Sequence, residues 1–360
     1  MEHLLVILFC SVLNVLASKQ MTDTISYWEE QVVFHNEDST LYFGATITIP
    51  SCDEKKMPAL VLLSGTGKSL RNNRVMSAIA DYLGKRGVIT LRADKRGCGE
   101  SGGVFETATT ADFADDALSA LYYLKGRKDL PIKKIGLLGH SEGGAVASVA
   151  TSKSKEVDFM ISMAGLATDG LSALIYQNES IMNISSTPEY NKKRYNEITN
   201  LLLHVVYEHA SSDSLGKQLK EVFQAWKIKD DACVKMSNLT EKEQFRFSIG
   251  QYIQEAERPW YRFIIRYNPG DYLSKIKVPV LALNGDKDLW VDAKENLANF
   301  KRYVKNKRLT AVELPNVNHW FLSCKEGTQA EAITLFKHQS LNEDVLNLIY
   351  RWIKATCRSE

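Results

Sequence analysis

Residues 59–65, ALVLLSG, begin with five consecutive apolar side chains. A strand with one wet face alternates polar and apolar positions, so a short unbroken run suits a strand buried on both faces. Similar runs recur at KKIGLLGH (133–140), VDFMISMAG (157–165) and KVPVLALNGD (277–286), with a further strand at VITLRAD (88–94). Between them lie stretches with helical spacing: VMSAIADYLGKRG (75–87), TTADFADDALSALYYLKGR (109–127) and EGGAVASVATSK (142–153). Strand and helix in alternation predict an α/β fold, with a mostly parallel central sheet and helices on both faces. Upstream, EEQVVFH (29–35) and TLYFGATITIP (40–50) alternate instead and predict an antiparallel pair.

The rhythm stops after Gly165 and resumes at Lys277. The intervening stretch is rich in Asn, Lys, Glu, Tyr and Leu, with helical segments such as 190–209 and 213–226. We assign 24–165 and 275–360 to one core domain and 166–274 to a helical lid inserted in it. A helix at 293–304, a strand at 309–315 and an amphipathic helix at 342–356 close the chain.

The first 17 residues stand apart. Residues 4–17 are almost wholly apolar, but shorter than the roughly 20 residues that span a membrane. Val15 and Ala17 suit a signal-peptidase site, so we expect a signal peptide cleaved near Ala17 and a secreted or periplasmic protein. The n-region lacks Lys and Arg, and a retained tethering helix is the alternative. The five later cysteines, Cys52, Cys98, Cys233, Cys324 and Cys357, form no CxxC pair and no metal-ligand rhythm. Sequons stand at Asn178, Asn183 and Asn238. The formal net charge of +2 carries no electrostatic footprint for nucleic acid.

VLLSGTGKSL (61–70) raises the question of a phosphate loop. That motif needs a glycine five residues before Gly67, where this chain has Leu62 inside the strand. Too few backbone N–H groups remain to wrap a phosphate. GLLGHSEGG (136–144) explains the turn differently. A strand runs into Gly139-His140-Ser141-Glu142-Gly143 and a helix leaves, which is the nucleophile-elbow pattern G-x-S-x-G. Strained backbone there exposes the serine Oγ above the sheet, and side chains at Gly139 or Gly143 would meet backbone.

A serine nucleophile needs a base and an acid to orient it, here in the chain order Ser, Asp, His. Just past the strand at 277–286 come Asp286, Asp288 and Asp292. Asp288 fits best, Asp286 is the runner-up, and Asp292 suits a helix cap. His319 follows the next strand, in a loop. His35, His140, His204, His209 and His338 fit the order or position less well, and His140 reads as a packing neighbour. The two oxyanion donors expected are the backbone N–H groups of Thr66 and Glu142. Lys68 and Arg71 would then lie at the mouth of the site, or be merely solvated.

Taken together, SGTG (64–67), DKRGCGESGG (94–103), GHSEGG (139–144), NGDKDLWV (284–291) and NVNHWF (316–321) resemble the α/β-hydrolase superfamily, in its serine-aminopeptidase-like and lysophospholipase-like esterase branch. The resemblance spans about residues 30–355. It implies the α/β-hydrolase fold, with Ser141 as nucleophile, Asp288 as acid and His319 as base. Asp94 and Arg96 would order loops near the site. Many relatives have His-Gly where this chain has Ser64-Gly65. The activity implied is hydrolysis of a small-molecule carboxylic ester through an acyl-enzyme, with no metal or organic cofactor and no membrane insertion of the mature chain. Lid aromatics Trp226, Trp260, Tyr261 and Phe263 are candidates for an acyl pocket. Aminopeptidase, thioesterase and acyltransferase activity share the machinery, and Glu255 or Glu257 could hold a substrate amino group. A non-catalytic binding protein on the same scaffold is the rival of a different class.

Overall fold

The computed structural model describes residues 24–52, 54, 56–236, 245 and 247–358. The signal-peptide expectation, Cys10 and the sequon at Asn238 lie outside them. In chain order the elements are β1 (Tyr27–His35), β2 (Tyr42–Pro50), β3 (Met57–Leu63), α1 (Arg74–Gly84), β4 (Ile89–Ala93), α2 (Thr110–Gly126), β5 (Ile132–His140), α3 (Glu142–Lys153) and β6 (Phe159–Met163). Six helices follow: α4 (Gly170–Ile184), α5 (Glu189–His209), α6 (Leu215–Met236), α7 (Ile249–Ala256), α8 (Pro259–Ile264) and α9 (Gly270–Leu273). The chain ends with β7 (Val280–Gly285), α10 (Ala293–Tyr303), β8 (Leu309–Leu314), α11 (Gln329–Leu335) and α12 (Glu343–Arg358).

One eight-stranded sheet runs in the order β1-β2-β4-β3-β5-β6-β7-β8. The β1–β2 and β2–β4 pairs are antiparallel and the remaining pairs parallel. The apolar runs are the inner strands, and their alternate residues feed two separate cores. Ala59 and Val61 face one core, shared with α2, α3 and α10. Leu60 and Leu62 face the other, shared with α1 and α12. A strand covered on both sides has no solvent face on which to place polar residues, which is why these runs do not alternate.

Helix starts follow local chemistry. Thr109 caps α2 in a reciprocal box with Asp112, and Asn73 accepts the N–H groups of Val75 and Met76 at the head of α1. The inserted helices have an apolar core of their own, built from Ile198, Leu202, Val206, Leu219, Trp226 and Ile265 among others. Arg194 and Asp230 form a buried, bidentate ion pair joining α5 to α6 (2.7 Å on both arms). No helix among the described residues is long and apolar enough to cross a membrane.

Candidate functional site

The C-terminal ends of β5, β7 and β8 face one rim of the sheet, and the loops leaving them build the site. At the end of β5 the chain turns sharply. Ser141 adopts φ 56° and ψ −125°, a sparsely populated conformation that costs about 1–3 kcal/mol and persists only when its surroundings hold it. Its N–H is fixed by the carbonyl of Met163 (2.9 Å). The turn needs its glycines: a Cβ at Gly139 would stand 1.9 Å from the carbonyl oxygen of Gly143. One at Gly143 would stand 2.2 Å from that of Leu63. Helix α3 starts immediately, and Glu142 is its first residue, so the Glu142 N–H has no carbonyl one turn back to bind.

The loop after β7 supplies Asp288. Its carboxylate is buried and accepts the N–H groups of Trp290 (2.8 Å) and Val291 (2.9 Å) on Oδ1. The loop after β8 supplies His319, also buried. Asn318 holds that loop by accepting the N–H groups of Trp320 and Leu322, and Val317 and Ser323 bridge across it. His319 donates Nδ1–H to both Asp288 oxygens (2.8 and 3.0 Å). In the neutral imidazole that bond selects the tautomer with its proton on Nδ1 and makes Nε2 the acceptor. Trp290 stacks on the imidazole at 5.5 Å between ring centroids, and Trp320 meets it edge-on.

Asp288 and His319 are therefore brought together by a direct hydrogen bond, and Ser141 is linked to them through its neighbour His140. His140, next to Ser141, donates Nε2–H to the carbonyl of His319 (2.8 Å), with the two rings 4.9 Å apart. Ser141 Oγ has no hydrogen bond among the described residues. Asp286 does a different job, accepting the N–H of Asn316 (2.7 Å) to join the two loops. Asp292 caps α10 through the N–H of Glu295. His204 and His209 lie on α5, His35 on β1, and His338 is exposed beyond α11.

Reading from sequence understates His140. It is buried, and burial first, then the neighbouring His319, pushes its pKa down to about 4. It stays neutral and ties the loop carrying His319 to the elbow strand. Only its place beside the serine, at a strand end, signalled this. The Glu142 side chain was also unforeseen. It is buried and accepts from Trp260 Nε1 (2.6 Å), Thr110 Oγ1 (2.9 Å) and Lys95 Nζ (3.4 Å).

The turn after β3 lies against the elbow, since a Cβ on Gly65 would sit 3.1 Å from Ser141 Cβ. The Thr66 N–H has no partner among the described residues, and Thr66 is exposed. Arg71 has partners of its own. It is held by Asp94 and Glu100, with only 14% of its side chain exposed. Lys68 is exposed and pairs with Glu106 (2.7 Å). Asp94 orders its own turn through the N–H groups of Arg71 (2.7 Å) and Glu100 (3.0 Å), and Arg96 pairs with the half-buried Asp116. Of the lid aromatics, Trp226 and Tyr261 pack in the insertion's own core and Phe263 against the main core. Glu255 pairs with Arg258 (3.0 Å). The insertion touches the site through Trp260 and through Tyr176, whose hydroxyl donates to the carbonyl of Asp288 (3.0 Å). No cluster of metal-ligating side chains occurs among the described residues.

Comparison with known proteins agrees with this architecture. The chain is 22% identical over 326 residues to the esterase EstD of Thermotoga maritima, covering 89% of this chain and 68% of that protein. Its fold resembles the Pyrococcus furiosus esterase Pf2001 (TM-score 0.54, 16% identity, 92% of each chain). It also resembles a proline iminopeptidase of Mycobacterium smegmatis (TM-score 0.53, 13% identity, 92% of this chain and 99% of that one). Residues 58–323 match the family model of the alpha/beta hydrolase fold, and the chain belongs to that family.

Proposed function

We propose that this protein is a serine hydrolase that cleaves carboxylic esters, with Ser141, Asp288 and His319 as its triad. The observation that carries the reading is the buried Asp288–His319 pair beside a serine on a strained strand-to-helix turn. His319 Nε2, left basic by the bond at Nδ1, takes the proton of Ser141 as Oγ attacks the ester carbonyl. Asp288 stabilises the imidazolium while its own charge is held by two backbone N–H groups. The contact between Ser141 Oγ and Nε2 forms as substrate seats, since such bonds commonly tighten only in the complex. The unpartnered N–H of Thr66 and the N–H of Glu142, at the head of α3, take the negative charge on the carbonyl oxygen. The alcohol leaves with the proton from His319. Water, activated by the same imidazole, then releases the acid.

The esterase name of the Thermotoga maritima relative supports an ester substrate. We further propose that the inserted segment 166–274, with helices α4–α9, acts as the lid over this rim, and that the N-terminal 17 residues direct export.

The test is active-site labelling with a fluorophosphonate, followed by a panel of nitrophenyl esters of rising chain length beside aminoacyl anilides. Wild type should label and hydrolyse esters in preference to anilides, and Ser141→Ala should do neither. A folded wild type that stays unlabelled and inert on every substrate supports the binding-protein reading instead.

A further inference from the structure

Lys95 is a largely buried lysine just after β4, with 10% of its side chain exposed. Its ammonium has three neighbours. It donates to the carbonyl of Gly65 (2.6 Å), pairs with Glu142 Oε2 (3.4 Å), and lies over the Phe113 ring (4.7 Å to the centroid). The first contact matters because of what shares its peptide unit. The Gly65 carbonyl and the Thr66 N–H belong to one planar trans amide, so they point in opposite directions. Whatever holds the carbonyl aims the N–H.

A turn with glycines on either side of Thr66 has little stiffness of its own. Gly67 sits at φ 92°, and a Cβ there would meet nothing within 4 Å. Packing against the elbow steadies the Gly65 end, where a Cβ would sit 3.1 Å from Ser141 Cβ, but nothing among the described residues packs at the Gly67 end to set the tilt of the peptide plane. A charge-assisted hydrogen bond of 2.6 Å to a largely buried ammonium can set it. The ammonium is held in turn by Glu142, whose carboxylate has three donors from three parts of the chain. These are Lys95 after β4, Thr110 at the start of α2 and Trp260 on α8 of the insertion. Glu142 is also the residue whose N–H supplies the other proposed donor. One carboxylate thus joins both oxyanion donors and ties them to the insertion.

We propose that Lys95, anchored on Glu142 and through it on Trp260, is the positioning residue of the oxyanion turn. It touches neither substrate nor reacting atoms. It sets the direction of the Thr66 N–H, and the insertion helps keep it there. This rests on the hydrolase reading above.

Two variants test it: Lys95→Met, which keeps the stem and removes the donor, and Trp260→Phe, which keeps a ring and removes only the N–H to Glu142. The readouts are kcat and KM on the best nitrophenyl ester, the inhibition constants of a trifluoromethyl ketone and of the product acid, and thermal unfolding. The ketone forms a tetrahedral oxyanion on the serine and the acid does not. A misdirected donor costs transition-state stabilisation, for which the loss of a whole donor sets a ceiling of about 100- to 1,000-fold. Lys95→Met should therefore lose about 30-fold or more in kcat, with KM within about threefold. Ketone affinity should fall in parallel and product-acid affinity should hold. Trp260→Phe should show the same pattern at about 3- to 10-fold. If Lys95→Met does not fold, Trp260→Phe decides alone.

Wild-type kcat in either folded variant overturns the proposal. So does a variant in which ketone and product acid lose affinity equally, since that marks a general loss of structure. Failure of the hydrolase reading shows separately, as a wild type that the fluorophosphonate does not label at Ser141.

Discussion

His140 makes stability depend on pH in a calculable way. Burial holds its folded-state pKa at about 4, against an ordinary 6.5. The desolvation cost is the largest contribution, the approach of His319 adds to it, and the bond to the His319 carbonyl and the charge of Asp288 oppose it. The neutral imidazole is the form that fits, with Nε2–H on the carbonyl and no counter-ion. The unfolded chain takes up a proton as pH falls through 6.5, while the folded protein resists until about 4. The stabilisation is therefore complete above 6.5 and is lost as pH falls. Two and a half pH units at about 1.4 kcal/mol each come to about 3.5 kcal/mol, of which roughly 3 kcal/mol is lost by pH 4. The assay is urea unfolding of wild type and His140→Gln between pH 7.5 and 4. The stability difference between the two should shrink by roughly 3 kcal/mol across that window, and most steeply below pH 6. Asp116, raised by burial to about 6, works in the opposite sense, because the folded form then holds its proton longer. It is present in both proteins and cancels from the difference. A difference that stays flat with pH would refute the claim that this imidazole is held neutral.

Two other perturbations have equally direct outcomes. Gly139→Ala forces a Cβ to 1.9 Å from backbone in a turn that cannot relax without moving Ser141. It should destabilise by more than about 3 kcal/mol or abolish soluble expression, read by thermal unfolding and yield. Arg194→Met leaves Asp230 buried without its partner and should cost about 3–5 kcal/mol, concentrated in the insertion. Hydrogen exchange should speed up in α5 and α6 and leave β5 and β6 protected, whereas unchanged exchange in α5 would show that the pair contributes nothing.

Much of the sheet was legible because burial on both faces leaves a simple trace. The runs at 59–63 and 280–283 have no polar positions because no solvent face exists for them. Helix α2 was legible from its own ends, through Thr109 and the acidic first turn. Helix α11 was not, since seven residues with one buried side chain leave little periodicity to read. The candidate site divides in the same way. Ser141 is marked by local strain, because only glycines at 139 and 143 permit the turn. Asp288 and His319 could be named as positions after strand ends, although their order in the chain says nothing of a 2.8 Å hydrogen bond.

The sequence by itself determined the layered α/β architecture, the elbow, and the break where the insertion begins, because each depends on residues close together in the chain. Tertiary structure alone decided that His140 carries the loop of His319 and that Arg71 is held by Asp94. It alone decided that Lys95, Thr110 and Trp260 meet on Glu142. These are contacts between segments 23 to 179 residues apart. A buried polar group must find a partner wherever the packed chain brings one, and no local pattern records which partner that will be.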